Sequence, residues 1–451
     1  MKNEVIRMKT VFLCGGIGKR MFPITDDKFL LEFLGKTLLV RQLDAATKAG
    51  LNDFVIICNK YNIDQIEQIS GRVKNIKIRL VLQKQPRGIA DALQSAASQF
   101  DGHILIVNPN DVFAPSAYYS ILKEANRKSA GSYVLGYQTQ SYFPGGYLVV
   151  NSAGELEHIV EKPKPGEEPS RLVNILVHLH TDSRRLLNYI EQVKTTRDDV
   201  YECALDMLVK DGHKIKVIPY HDFWAPIKYP WHIFDVVKYM LDVSRTDISP
   251  SASISSKATI EGKVVIGEGV RVLENAVIRG PAFIGDGSLI GNNVLVRDYS
   301  HIGADCVIGY GTEVKSSYIG DRCWVHSSYI GDSIIGKNCS LGAGTVLANF
   351  RFDEQNVSVK IDEAATDTGR DKLGAIIGDD SKTGINASVM PGIRIGPNSV
   401  VCSHVCLTKD LGPEKMILSE PHYKIQQNPV KLTETKRKEL KEKLEKLAGN
   451  S

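Results

Sequence analysis

The sequence predicts an α/β domain built on a mostly parallel sheet, followed by a parallel β-helix of six-residue repeats. Three observations predict it. Short apolar strands alternate with helical patterns in the first half. An aliphatic residue recurs every six positions through most of the second. The chain has 451 residues, more than one core of ordinary size holds.

In the first half, Thr10 to Cys14 reads as a buried strand running into a Gly-rich turn. Asp53–Cys58, Ile78–Leu82 and His103–Val107 read as further strands, with helical patterns at Leu38–Ala49 and Ile63–Ile69 between them. Strands separated by helices make a mostly parallel sheet covered on both faces, and such sheets bind ligands at the carboxyl ends of their strands. Ser, Thr, Asp and Pro cluster from Ser244 to Ser251 and mark a boundary.

The repeat then runs Ile254, Ile260, Ile266, Val272, Ile278, Ile284, Ile290, Val296, Ile302, Ile308, Val314. Its register slips at Ile319, Ile330 and Ile335, resumes at Leu341 and Leu347, and returns from Ile377 to Leu407. A period of six is neither 3.6 nor 2, so neither a helix nor a hairpin accounts for it. Three short faces per eighteen-residue coil do, with the aliphatic residue inward and small residues at the corners. The tail from Val430 is basic, with Leu440, Leu444 and Leu447 on one helical stripe. It reads as a solvated helix packing on a neighbour, with a nucleic-acid arm as the other reading. The predicted divisions are 8–245, 250–418 and 419–451.

Composition bounds the partners. The 56 Lys and Arg against 52 Asp and Glu leave a net charge of +4, which argues against nucleic acid or an anionic membrane as the main partner. No stretch of 18 residues is uninterruptedly apolar, so no membrane-spanning helix is expected, and no signal core follows Met1. The cysteines at 14, 58, 203, 306, 323, 339, 402 and 406 form no CxxC pair and read as reduced residues of a cytoplasmic protein.

Three glycines in the loop Gly15-Gly16-Ile17-Gly18-Lys19-Arg20 let backbone N–H groups approach phosphate oxygens, and Arg20 can pair with phosphate bidentately. The pattern is neither GxGxxG nor a P-loop, which excludes dehydrogenases and kinases. The run from Leu13 to Thr25, with Lys28 and Leu34-Gly35-Lys36-Thr37 after it, resembles the signature loop of sugar-1-phosphate nucleotidylyltransferases. Gln85 to Ala92, Asn108 to Phe113, and Glu161-Lys162-Pro163 followed by Asn174 resemble that family's base-reading, magnesium-binding and sugar-binding segments, in order. With a β-helix behind, the chain resembles the bifunctional N-acetylglucosamine-1-phosphate uridylyltransferase/glucosamine-1-phosphate acetyltransferases over about residues 8 to 418. The resemblance implies a Rossmann-like domain followed by a left-handed β-helix of hexapeptide repeats. A sugar-1-phosphate would attack the α-phosphorus of a nucleoside triphosphate and pyrophosphate would leave.

It also implies roles. Gly15, Gly16, Gly18 and Arg20 hold the triphosphate, with Lys28 and Lys162 stabilising phosphates. Asp111 holds Mg²⁺. Gln83 or Gln85 and Gly88 contact the base, while Gly146, Glu161 and Asn174 contact the sugar. This sequence departs from the pattern at Lys19, Asn110 and Leu176. It departs most at Pro226, where a second metal-binding Asp is usual and for which Asp222, or less readily Asp235, would have to substitute. His326 to Asp332 resembles the acetyltransferase catalytic coil. His326 would be general base toward acetyl-CoA as co-substrate, with Arg297 and Lys315 gripping the sugar phosphate and Tyr329 and Asn349 binding substrate. Residues 349–375 interrupt the repeat and are expected to reach over a neighbouring subunit of a homotrimer. Gln355 and Ser358 stand where relatives carry lysines. Two other readings are a single-activity glucose-1-phosphate nucleotidylyltransferase with a structural β-helix, and a regulatory or scaffold subunit.

Overall fold

The computed structural model describes residues 8–448 apart from positions 17, 196, 198, 363, 421–423 and 430–433. In chain order its first half forms β1 (Met8–Cys14), α1 (Leu38–Lys48), β2 (Asp53–Cys58), α2 (Ile63–Ser70), β3 (Lys77–Leu82), α3 (Gly88–Ser95), β4 (His103–Val107), β5 (Asp111–Phe113) and α4 (Ser116–Ala125). There follow β6 (Ser132–Gln138), β7 (Gly146–Val150), β8 (Leu156–Glu161), β9 (Leu172–His180), α5 (Ser183–Gln192), α6 (Val200–Lys210), β10 (Ile215–Tyr220), β11 (Trp224–Pro226) and α7 (Ile233–Val243).

One sheet organises these elements. Its spine runs β8-β7-β9-β4-β1-β2-β3, and β6 joins it between β9 and β10. Strands β4, β1, β2 and β3 are parallel, as the alternation of strand and helix predicts. β9 runs antiparallel to both β4 and β6, so the sheet is mixed beyond the parallel core. β1 and β2 are buried on both faces, which is why they read as unbroken apolar runs. Thr37 caps α1 by accepting from the Val40 N–H at 3.3 Å.

The second half is a left-handed parallel β-helix of three sheets, with 8, 9 and 8 strands among the described residues. The hexad residues line its interior in one continuous cluster, from Val264 to Leu407. Coils of eighteen residues pair Ile266 with Ile284 and Ile284 with Ile302. They tighten where the repeat slips, pairing Ile302 with Ile319 and Ile319 with Ile335. The slip is therefore a shortened turn, with every aliphatic residue still inward.

α7 ends at Val243 and the β-helix strands begin at Asp247–Ile248. The two halves share a buried cluster. Met21, Leu31, Phe33, Val236, Val237 and Met240 meet Phe283, Tyr318, Ile334 and Ile376. Polar contacts fix the boundary: Tyr318 Oη donates to the Glu32 carbonyl at 2.9 Å, and the Leu34 N–H donates to His301 Nε2 at 3.1 Å. Lys337 Nζ lies 3.0 Å from Asp26 Oδ2.

Part of the interruption at 349–375 packs on its own chain. It forms a hairpin, Ser358–Ile361 with Ala364–Asp367, and Val357, Val359 and Ile361 pack into the same boundary cluster. Arg370 then pairs with Asp235 at 2.6 Å. The reason is apolar alternation on one hairpin face, which finds α7 of its own chain within reach. Phe350 and Phe352 near its start are large apolar side chains that stand exposed. Residues Leu418–Ser451 form a separate unit containing helix α8 (Glu434–Ala448), on which Leu440, Leu444 and Leu447 are exposed and Lys441 faces Glu445. Val430, where the charged tail was expected to begin, lies outside the described residues.

Candidate active sites

The Gly-rich loop follows β1 at the carboxyl edge of the parallel strands. Gly15 is required there: a Cβ would lie 1.9 Å from Gln83 Oε1. Gln83 is itself buried, and its amide donates to the Gly88 carbonyl at 3.3 Å and to Asp91 Oδ2 at 2.7 Å. Gln83 therefore ties the loop to α3, and the exposed Gln85 is the amide left open to a base. Gly16, Gly18 and Arg20 are exposed, and the Lys28 stem passes under Gly18, whose Cβ would sit 3.4 Å from Lys28 Cε.

Asp111 enters from the turn after β4. The Asn108 side chain builds that turn, accepting from the Asn110 N–H at 3.2 Å and donating to Asp111 Oδ1 at 3.2 Å. Asn110, where the resemblance expects Gly, is accommodated because its own amide donates to Asn108 Oδ1 at 3.1 Å. The other Asp111 oxygen accepts from Trp224 Nε1 at 3.1 Å. Asp111 is only 9% exposed. Burial pushes its carboxyl above the ordinary range, opposed by the Trp224 hydrogen bond and by Lys228 and Lys28.

β11 pairs antiparallel with β5 and puts Pro226 directly opposite Asp111. Asp222 is four residues further along, about 13 Å by strand rise, and hydrogen-bonds Ser116. Asp235 is engaged by Arg370. Neither replaces the missing carboxylate. The segment instead brings in Lys228, which the sequence reading did not single out. Burial lowers its pKa to about 8, while Asp111 and Glu161 favour its charge. Its ammonium donates to the Pro144 carbonyl and lies 3.6 Å from the Phe143 ring centre. The signal was a lysine two residues past the aligned Pro226. Lys28 is also lowered by burial and favoured by Asp111. Lys28 and Lys228 thus flank one buried carboxylate, and Arg20 is close enough to act on both lysines.

The three sugar candidates converge. Glu161 pairs with Gly146 across β8 and β7, and a Cβ on Gly146 would lie 3.0 Å from Glu161 Oε2 and 3.5 Å from Asn174 Cβ. Lys162 Nζ sits 2.9 Å from Glu161 Oε1. Leu176 is tolerated because its side chain packs on the apolar cluster beneath while its carbonyl accepts from the Asn108 N–H at 3.0 Å.

On the β-helix, Arg297, Lys315 and Gly331 stack in register on one face. Lys315 Nζ is 2.7 Å from Asp332 Oδ2, which also accepts from Asn349 Nδ2 at 2.5 Å. A Cβ on Gly331 would lie 2.7 Å from both Asn349 Nδ2 and Tyr329 Oη, so glycine keeps this cluster together. Arg297 is held by Glu313 and Asp298. His326 is exposed at the corner before Tyr329, between coils that carry Gly309 and Gly342. The adjoining face carries a groove of about 700 Å³ lined by Arg322, Trp324, Ser340 and Lys382, among others.

The nucleotidyl transferase family matches residues 9–227, and the bacterial transferase hexapeptide family (six repeats) matches 281–316 and 374–409. A bifunctional sugar-1-phosphate nucleotidylyltransferase/acetyltransferase from Sulfurisphaera tokodaii is 32% identical over 412 residues, covering 90% of this chain and 98% of that one. The bifunctional protein GlmU of Methanococcus aeolicus is 33% identical over 415 residues, covering 91% and 97%. A solved structure of a putative glucose-1-phosphate thymidylyltransferase from Bacillus anthracis is similar over 53% of this chain and 98% of its own, at 19% identity and a TM-score of 0.48. Matched along nearly its whole length, the chain belongs to the family of bifunctional sugar-1-phosphate nucleotidylyltransferase/acetyltransferases.

Proposed function

We propose that the first half joins a nucleoside triphosphate to a sugar-1-phosphate with release of pyrophosphate, and that the β-helix transfers an acetyl group from acetyl-CoA to glucosamine-1-phosphate. The observation that carries the first activity is the buried Asp111 flanked by Lys28 and Lys228, with Arg20 close to both lysines and the Lys28 stem beneath Gly18. Such a transfer needs positioning and charge neutralisation rather than covalent help. Arg20 and the loop amides hold the triphosphate. Lys28 and Lys228 meet charge that develops at the α-phosphate and on the leaving pyrophosphate. Gly146, Glu161 and Asn174 hold the sugar, with Lys162 on its phosphate.

Among the described residues no group of three or more His, Cys, Asp or Glu could hold a metal. One hard carboxylate still fits Mg²⁺, which is commonly bound by one or two carboxylates plus substrate phosphates. Asp111 would be that ligand, and a bound Mg²⁺ would supply charge neutralisation on the phosphates. Lys228 partly offsets the carboxylate missing at Pro226, since a cation there neutralises phosphate without a metal.

In the second site the exposed His326 takes a proton from the attacking amine while Arg297, Lys315, Tyr329 and Asn349 hold the sugar phosphate. The adjoining groove offers Arg322 and Lys382 to the phosphates of acetyl-CoA. Exposed Tyr310, Trp324 and Ile385 around the His326 corner support a homotrimer in which a second copy covers it. The eight unpaired cysteines support a reducing, cytoplasmic setting, and no described helix is long and apolar enough to cross a membrane.

The test is pyrophosphate release with Mg²⁺, each nucleoside triphosphate and a panel of sugar-1-phosphates. Release with none of them returns the scaffold reading, which Pro226 opposite Asp111 would then explain. For the second activity, CoA release from acetyl-CoA and glucosamine-1-phosphate is compared in wild type and His326→Ala. A loss of about 10²–10⁴-fold is expected, with nucleotidyl transfer unchanged. Equal release in both removes His326 as base, and no release from wild type makes the β-helix an assembly module. Light scattering at micromolar concentration gives three times the chain mass if the trimer forms, and a monomer mass rejects it.

A further inference from the structure

β9, which carries Asn174, also carries His178 and His180, and both rings are fully buried with 0% and 1% exposure. Burial holds both well below the ordinary histidine range, with His180 at about 3, so both are neutral. They are links in one unbroken hydrogen-bonded chain. His178 Nε2 is 2.7 Å from Asn174 Oδ1, and His178 Nδ1 is 2.8 Å from Tyr201 Oη. Tyr201 Oη is 3.0 Å from His180 Nε2, and His180 Nδ1 is 2.8 Å from Ser132 Oγ. Ser132 Oγ is 3.0 Å from Nε2 of His213, a half-buried residue in the turn after α6. Gly131 makes room for that last ring, because a Cβ there would lie 2.2 Å from His213 Cε1.

A neutral imidazole has one donor and one acceptor, and a hydroxyl has one proton. Setting one link therefore sets them all. With the Asn174 oxygen toward the ring, His178 donates from Nε2 and accepts at Nδ1 from Tyr201. Tyr201 then accepts from His180 Nε2, His180 Nδ1 accepts from Ser132, and Ser132 accepts from His213 Nε2. This direction holds whether His213 is neutral with its proton on Nε2 or doubly protonated. To turn its amide over, Asn174 would have to reverse five hydrogen bonds, or leave a buried donor or acceptor unpaired. Its NH₂ group is thereby kept away from His178, and the Asn174 Cβ lies beside Gly146, next to Glu161. Tyr201 also lines the small cleft, about 120 Å³, shared with Gly88, Glu161 and Lys162.

We propose that His178, Tyr201, His180 and Ser132 are positioning residues that lock the Asn174 amide as a hydrogen-bond donor toward the sugar-1-phosphate. Sugar recognition then depends on side chains that never touch the sugar. This rests on the reading of Asn174 as a sugar contact.

Tyr201→Phe tests it, because it keeps the ring stacked on His178 (centroids 5.7 Å apart) and removes only the central hydroxyl. The KM for the sugar-1-phosphate should rise about tenfold, the equivalent of one hydrogen bond, with kcat and the KM for the nucleoside triphosphate within about twofold of wild type. In the Asn174→Ala background the same change should add nothing to the sugar KM. Equal rises in both KM values, or effects that multiply in the double variant, would overturn the proposal as mere destabilisation. If Asn174→Ala alone leaves the sugar KM unchanged, the reading of Asn174 fails instead. Should Tyr201→Phe fail to fold, the wild-type protein with ¹⁵N-labelled histidine decides. His178 and His180 are expected as Nε2–H tautomers, and an Nδ1–H tautomer at either overturns the relay.

Discussion

Asp111 illustrates how one residue acquires its role from its surroundings. Its carboxylate is buried, accepts from Trp224 and Asn108, and has Lys28 and Lys228 as its electrostatic neighbours. Removing a preorganised charge at a phosphoryl-type transition state costs roughly 3 kcal/mol. Arg20→Ala and Asp111→Ala should therefore each lower the rate of pyrophosphate release at least about 10²-fold. Unaffected release in Asp111→Ala would remove it as the metal ligand. Lys228 makes a separate prediction. Its pKa is lowered to about 8, so the charged form prevails below that pH and is lost above it. Since kcat/KM reports groups of the free enzyme, it should fall as pH rises through about 8. Lys228→Arg keeps the charge and should move that limb upward, while Lys228→Met should lower kcat/KM at all pH values. A profile in Lys228→Arg identical to wild type would assign the limb to another group.

At the scale of an element, the coil from Trp324 to Thr345 shows packing and chemistry on opposite sides of the same strands. Ile330 and Val325 point into the column with no exposure, while Tyr329 and His326 face outward. Each coil contacts only its neighbours, so a defect in one is not shared out across the fold. Ile330→Ala should cost about 2–5 kcal/mol of stability in the β-helix, read as a lower denaturant midpoint for that half. CoA release should fall with it at temperatures where nucleotidyl transfer persists. A midpoint unchanged within error would mean that the column tolerates a cavity at Ile330. The tightened turn here also explains the slip in the repeat, since Val325 still pairs with Leu341 and Ile330 with Leu347.

For the whole molecule, the β-helix braces the segment that carries Arg20 and Lys28. Lys337 holds Asp26, two residues before Lys28, and Tyr318 and His301 hold Glu32 and Leu34. The Lys337 pair is partly shielded, and three anions near it raise its pKa despite burial. Lys337→Ala should therefore raise the KM for the nucleoside triphosphate several-fold, without touching that substrate, because Lys28 loses its support. An unchanged KM would make the boundary a passive joint. The boundary also makes the fold sensitive to acid. His301, together with His178 and His180, is neutral when folded, with His301 and His180 lowered to about 3 by burial, whereas unfolded histidine titrates near 6.5. The unfolded chain therefore binds more protons than the folded one between those values, and stability falls as pH drops from about 6.5 toward 3. The slope approaches about 1.4 kcal/mol per pH unit for each such histidine. His301→Gln should flatten the dependence of the urea midpoint on pH, and an unaltered slope would mean that His301 does not titrate on unfolding.

By itself the sequence determined whatever rests on local periodicity and order along the chain. The hexad column, the parallel core strands, the Gly loop and the sequence of binding segments were all readable, because spacing dictates which side of a strand a residue faces. The carboxylate missing at Pro226 was legible too, since its loss needs no coordinates, whereas its place opposite Asp111 came from the pairing of β11 with β5. Only the tertiary structure decided what depends on contacts between distant segments. Burial of Gln83 by Gly15 left Gln85 as the exposed amide. Arg370 and a small hairpin tied part of 349–375 to α7 of the same chain. Lys228 became part of the first site through the pairing of β11 with β5, and two histidines of β9 met a tyrosine from α6 and a serine from β6. None of these has a sequence period, because each arises from burial and hydrogen bonding between elements brought together only when the sheet and the β-helix are complete.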